Sequence, residues 1–111
     1  MPHIRVRGMP FEDLEHISEP LIKALTDYLN LPASHFTLEY QAVTYLGAGG
    51  ASLAYPFFEV LWFARTEQQK ADVVRIITEL VKPALVTESD ICVLFSTMQS
   101  DDYYYEKGTT S

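Results

Sequence analysis

The sequence predicts an α+β domain of α/β-like character: two β-α-β units forming one four-stranded sheet with two helices on one face. Three observations predict it. Strand-like runs stand at residues 3–8, 36–45, 57–64 and 90–98, and stretches of helical period lie between the first and second and between the third and fourth. The two halves match at an offset of 54–55 residues, which reads as an internal duplication: Pro2 matches Pro56, Ile4 matches Phe58, and His35-Phe36-Thr37-Leu38 matches Asp90-Ile91-Cys92-Val93. The 111 residues, with 48% hydrophobic and 13% aromatic side chains, suit one core and therefore one domain. That domain covers residues 1–111, with units at about 2–45 and 56–98 and a C-terminal tail.

Each element has a local reason. In residues 3–8, Ile4 and Val6 alternate with His3, Arg5 and Arg7, the period of a half-buried strand. Pro10 followed by Glu12, Asp13 and Glu15 marks a helix start, because proline suits the first turn and acids suit the positive end of the helix dipole. Leu14, Ile17, Leu21, Ile22, Leu25 and Leu29 form the apolar stripe of that helix, and Asn30 and Pro32 end it. Pro20 lies inside the stripe, which predicts a kink or a restart at Ser18. Gly47-Ala48-Gly49-Gly50 reads as a hinge between the units, since it lacks the Lys-Ser/Thr ending and the strand-to-helix setting of a phosphate loop. Residues 57–64 are almost continuously apolar. Thr66 and Gln69 then have capping-box spacing, and Val73, Val74, Ile77, Leu80 and Val81 give the second helical stripe, ended by Pro83. The tail Tyr103-Tyr104-Tyr105-Glu106-Lys107 is aromatic enough to be tied down.

Connectivity and charge narrow the function. Right-handed crossovers make the strands within each unit parallel. Strands 57–64 and 90–98 are apolar on both alternations, yet two helices cover only one face, so the other face calls for further copies of this chain. The formal net charge is −7 and neither half is basic, so there is no electrostatic basis for nucleic-acid binding. No apolar run reaches the roughly 20 residues of a membrane span. The N-terminus lacks the apolar core of a signal peptide, and lone Cys92 makes no internal disulfide and belongs to no zinc-ligand pattern. A cytoplasmic protein without metal or other cofactor is expected.

Two residues stand out for chemistry. Pro2 follows the initiator Met1, and removal of Met1 would leave a secondary amine. A chain-terminal amine titrates near about 8, and apolar surroundings or a nearby cation lower that value by disfavouring the charged form. Partly neutral at neutral pH, it would be a competent general base. Arg65 sits at the junction of strand 57–64 with the following helix. There it would either clamp a carboxylate bidentately or pair with Glu59 or Glu67. Arg5, Arg7, Glu39 and Glu59 are expected to point away from the helix face and are read as charges paired at an inter-subunit interface, with a polar wall of a site as the alternative. His3, His16 and His35 are read as surface or interface histidines, and Trp62 and Phe63 as core or interface.

These residues resemble the tautomerase superfamily, which includes oxalocrotonate tautomerase and macrophage migration inhibitory factor. The resemblance rests on Pro2 at the head of the first strand, on two β-α-β units filling the chain, and on Ala64-Arg65-Thr66-Glu67-Gln68-Gln69-Lys70, which is similar to the Gly-Arg-Ser-Asp-Glu-Gln-Lys junction of oxalocrotonate tautomerase. Tyr45-Leu46-Gly47-Ala48-Gly49-Gly50-Ala51-Ser52 resembles the Met-Ala-Phe-Gly-Gly-Ser-Ser of the inhibitory-factor branch. Pro-His-Ile-Arg-Val-Arg with Glu-Val-Leu-Trp-Phe-Ala-Arg is most like a small, functionally uncharacterised bacterial branch.

The resemblance implies a homotrimer, with Pro2 as the base of an isomerase acting on a small keto or enol carboxylate and Arg65 binding the carboxylate, from its own subunit or a neighbouring one. Trp62 falls where dehalogenase-like members carry a second arginine, and Tyr103 or Tyr104 would supply a pocket phenol. The implied site is therefore Pro2 with Arg65, Trp62 and Tyr103. The chain departs from relatives at Leu31, Cys92 and Leu94, where the inhibitory-factor branch has lysine, tyrosine and asparagine, and has Glu12 at the first-unit position matching Arg65. These departures raise the alternative of a non-catalytic binding or structural trimer. A ferredoxin-like regulatory module is a third reading of the same element order.

Overall fold

The alternation at the N-terminus becomes β1 (His3–Arg7), and the first apolar stripe becomes α1 (Phe11–Leu29). Then follow β2 (Thr37–Gln41), β3 (Leu46–Gly47), β4 (Gly50–Ala51), β5 (Phe57–Trp62), α2 (Glu67–Val81) and β6 (Cys92–Thr97). The structure, a computed structural model, describes residues 2–47, 50–51, 55–85 and 89–108. Met1, Ala48, Gly49 and Ser52, on which parts of the sequence reading fall, lie outside the described residues.

The main sheet has the order β2-β1-β5-β6. β1 runs parallel to β2 and β5 parallel to β6, as two crossover units require, and β1 meets β5 antiparallel at the centre. The duplication repeats in the hydrogen bonds. The Thr37 N–H donates to the Pro2 carbonyl at 3.1 Å, and the Cys92 N–H donates to the Pro56 carbonyl at 2.9 Å. Each unit pairs its two strands side by side, whereas a split β-α-β arrangement places another strand between them.

Ile4, Val6, Phe58, Val60 and Trp62 form the floor of the core. Leu14, Ile17, Leu21 and Leu25 of α1, with Val73, Ile77 and Val81 of α2, form its roof. Both helices therefore lie on one face. On the other face Arg5 bridges Glu39 at 3.0 Å and Glu59 at 3.8 Å. Phe57 and Leu61 are half-buried there and Leu94 is exposed.

Three expectations change. Residues 11–29 form one helix running through Pro20, with no restart at Ser18, whose hydroxyl donates to the Glu15 carbonyl. Burying an aliphatic side chain contributes about 1.5–3 kcal/mol, and α1 has four such anchors on both sides of a proline that costs about 3 kcal/mol. Packing wins. The central glycine-rich segment is not a plain hinge, because β3 and β4 form a small antiparallel ladder, Leu46 opposite Ala51 and Gly47 opposite Gly50. The tail is only partly held: Tyr103 is half-buried, but Tyr104 and Tyr105 are exposed.

Candidate active site

The register brings the singled-out residues to one end of the sheet. His3 stands opposite Leu61 in the antiparallel β1–β5 pair, so Pro2 comes level with Trp62 where β5 ends. His3 is also level with Thr37 at the start of β2. Pro2, Trp62, Arg65 and Tyr103 are therefore gathered from both chain ends and the middle. The Pro2 ring is fully buried on the helix-covered face, a setting that disfavours charge on a neighbouring amine.

Arg65 follows β5, just before the N-cap of α2. The helix starts where the sequence reading places it, with Gln69 N–H donating to Thr66 Oγ1 at 3.1 Å and Thr66 N–H donating to Gln69 Oε1 at 3.0 Å. The alternative in which Arg65 pairs with Glu59 or Glu67 is not what the structure shows. Glu59 faces Arg5, Glu67 lies 3.4 Å from Lys70, and Arg65 has no ion pair among the described residues. One terminal nitrogen, Nη1, donates to the carbonyls of Phe63 at 3.0 Å and Ala64 at 3.2 Å. The guanidinium carbon lies 5.3 Å from the centre of the Trp62 ring. A guanidinium has five N–H donors. With Nη1 anchored to the backbone, Nε and Nη2 form the remaining edge, the one that matches a carboxylate bidentately.

Trp62 has a different place from the one the resemblance implies. Its indole is 0% exposed in the core and stacked on Phe95 at 4.9 Å, so no ring face is open to a ligand. It supports Arg65 through a cation–π contact. Its Nε1 has no hydrogen-bond partner among the described residues.

The sequence reading missed two members of this cluster, His3 and Thr37. His3 Nδ1 lies 2.7 Å from Thr37 Oγ1, and its Nε2 lies 2.9 Å from the Tyr103 hydroxyl. Tyr103 packs edge-on to Phe63, with ring centres 5.4 Å apart. Burial first, and then nearby positive charge including Arg5, hold the His3 imidazole below its ordinary range. Alternation already placed the side chain of His3, the residue after Pro2, on the face away from the helices; its partners are visible only in the folded chain. Among the described residues, no group of three or more His, Cys, Asp or Glu side chains is placed to hold a metal ion. No helix among them is long and apolar enough to cross a membrane.

A two-unit β-α-β sheet with a proline at the head of its first strand and an arginine at the matching sheet end defines a protein of tautomerase-superfamily fold. Within that class the chain belongs to the DUF1904 family, described as a domain of unknown function, whose family model matches residues 1–109. It is similar to a DUF1904 protein from Sebaldella termitidis, at 31% identity over 96% of each chain with a TM-score of 0.88. It is also similar to a protein of unknown function from Vibrio cholerae, at 30% identity over 95% of this chain and 84% of that one, with a TM-score of 0.85. FG41 malonate semialdehyde decarboxylase shares the fold at 22% identity over 98% and 91% of the two chains, with a TM-score of 0.70. So do a macrophage migration inhibitory factor-like protein from Entamoeba histolytica, at 15% identity, and a fused 4-OT described as a symmetric trimer, at 16%. No curated protein matches the chain in sequence.

Proposed function

We propose that this chain is a tautomerase-type isomerase. After removal of Met1, the Pro2 nitrogen takes a proton from the carbon beside a carbonyl. The C–H electron pair becomes a C=C bond, the carbonyl oxygen takes up a proton, and the enol results; ketonisation runs the same steps backwards. Arg65 binds the substrate carboxylate through its Nε/Nη2 edge, and Tyr103 lines the pocket. The observation that carries this reading is the arginine: half-buried, preset by two backbone carbonyls and a tryptophan face, without a carboxylate partner among the described residues, and at the same sheet end as Pro2. The active form is a cytoplasmic homotrimer. The half-apolar sheet face that the helices leave uncovered supports assembly, as does the symmetric trimer of the fused 4-OT.

The test is ketonisation of phenylenolpyruvate, or isomerisation of 2-hydroxymuconate, by wild type and Pro2→Ala, with mass spectrometry of the mature N-terminus. The expected outcome is a processed chain whose activity Pro2→Ala abolishes. Retained Met1, or equal rates for the two proteins, refutes Pro2 as the base and favours the non-catalytic trimer.

A further inference from the structure

Tautomerisation moves a proton at carbon and another at oxygen. Pro2 serves the carbon side, and the oxygen-side proton needs a carrier of its own. We propose that His3, acting through the Tyr103 hydroxyl and backed by Thr37, carries the oxygen-side proton; this rests on the isomerase reading and completes it.

Three observations carry the assignment. His3 is the residue next to Pro2, and its side chain belongs to the open sheet face at the Arg65 end. Both of its ring nitrogens are engaged, and both partners are hydroxyls, at 2.7 Å and 2.9 Å. A hydroxyl donates and accepts, so Thr37–His3–Tyr103 passes a proton either way, which a histidine anchored on a carbonyl or an arginine does not. The carboxylates on the same face, Glu39 and Glu59, face Arg5 instead.

The step balances. In enolisation the Tyr103 O–H bond breaks as the substrate O–H bond forms. The proton on His3 Nε2 moves to the phenolate oxygen as Nδ1 takes the Thr37 hydroxyl proton, which solvent replaces. The ring is then the Nδ1–H tautomer, and it returns to the Nε2–H form by losing the Nδ1 proton to solvent through Thr37 and gaining one at Nε2. Pro2 returns its proton to solvent. The relay uses the tautomer with hydrogen on Nε2, in which Thr37 Oγ1 donates to Nδ1. Tyr103 is then the catalytic residue on the oxygen side, and His3 acts through it.

The test uses the full-length processed protein and phenylenolpyruvate. General acid–base groups contribute about 10²-fold or more, so His3→Ala is expected to lower kcat about 10²-fold with KM within about threefold. Tyr103→Phe should fall by a similar factor, and the double variant no further. Added imidazole should restore rate to His3→Ala and not to Tyr103→Phe; a merely structural histidine gives no such rescue. Near-UV circular dichroism of each variant verifies folding. A Pro2-dependent activity that survives His3→Ala within about twofold overturns the assignment and leaves Pro2 standing. So does a rate loss that imidazole fails to restore. Equal rates for wild type and Pro2→Ala overturn the parent reading instead. If wild type turns over no enol probe, ¹⁵N NMR decides: phenylpyruvate must perturb the His3 Nε2 resonance in wild type, and an unperturbed resonance at saturation overturns the assignment.

Discussion

Replacing Arg65 by alanine tests whether its guanidinium, which has no ion pair among the described residues, is the carboxylate anchor. The side chain already uses Nη1 on two backbone carbonyls, at 3.0 Å and 3.2 Å, and rests against the Trp62 ring. A ligand therefore meets a pre-placed edge and loses little side-chain entropy in ordering it. A hydrogen bond to a charged group contributes about 1.5–3 kcal/mol. Two such bonds at a half-buried site belong at the low end of that scale, about 3 kcal/mol together, or roughly 150-fold in affinity. Calorimetry with phenylpyruvate and its methyl ester measures this directly. Wild type should prefer the acid by about that factor, and Arg65→Ala should lose the preference. Arg65→Lys should recover only part of it, because a lysine offers a point charge and no two-donor edge. Salt should weaken acid binding in wild type and leave Arg65→Ala nearly unchanged. Equal acid and ester affinity in wild type, or Arg65→Ala binding within about threefold of wild type, refutes the anchoring argument.

Other predictions test the scaffold. Gly8 has φ +87°, and a Cβ there would stand 1.9 Å from the Tyr55 carbonyl oxygen, so Gly8→Ala should lower stability by about 2 kcal/mol or more in urea denaturation. Thr66→Ala removes the N-cap of α2 and its capping box, at a cost of about 0.5–2 kcal/mol, read as a lower thermal midpoint. Tyr28 donates to Asp72 across the two helices at 2.5 Å; this bond holds the Asp72 carboxyl below its usual range and the Tyr28 phenol above its own. A depressed carboxyl contributes stability above its unfolded pKa and loses it as pH falls through the folded value. A raised phenol contributes below its unfolded pKa and loses that as pH rises through the folded value. The midpoint difference between wild type and Tyr28→Phe should thus be present at pH 7 and shrink toward both extremes; a difference independent of pH contradicts the clamp.

Much of the fold was legible because short-range physics carries it. Alternation sorted His3, Arg5 and Arg7 from Ile4 and Val6, and the Thr66–Gln69 spacing located the start of α2. Pro20 misled, since a local rule about one missing N–H says nothing of the buried leucines and isoleucine on either side of it. Trp62 misled as a ligand-contacting residue for a similar reason. The resemblance implies a pocket residue at its position, but strand alternation puts its ring beneath the helices. Its neighbour Arg65, three residues further on, lies beyond the strand and escapes that alternation.

By itself the sequence determined the two helices and the four strands of the main sheet, their order and the proline at the head of the first strand, because each depends on contacts between residues close in the chain. Only the tertiary structure decided that Arg65 has no carboxylate partner among the described residues, and that His3 meets Thr37 and Tyr103, 34 and 100 residues away. Such meetings depend on which strands pair and in what register, and that is settled by burial of the whole sheet face against both helices at once.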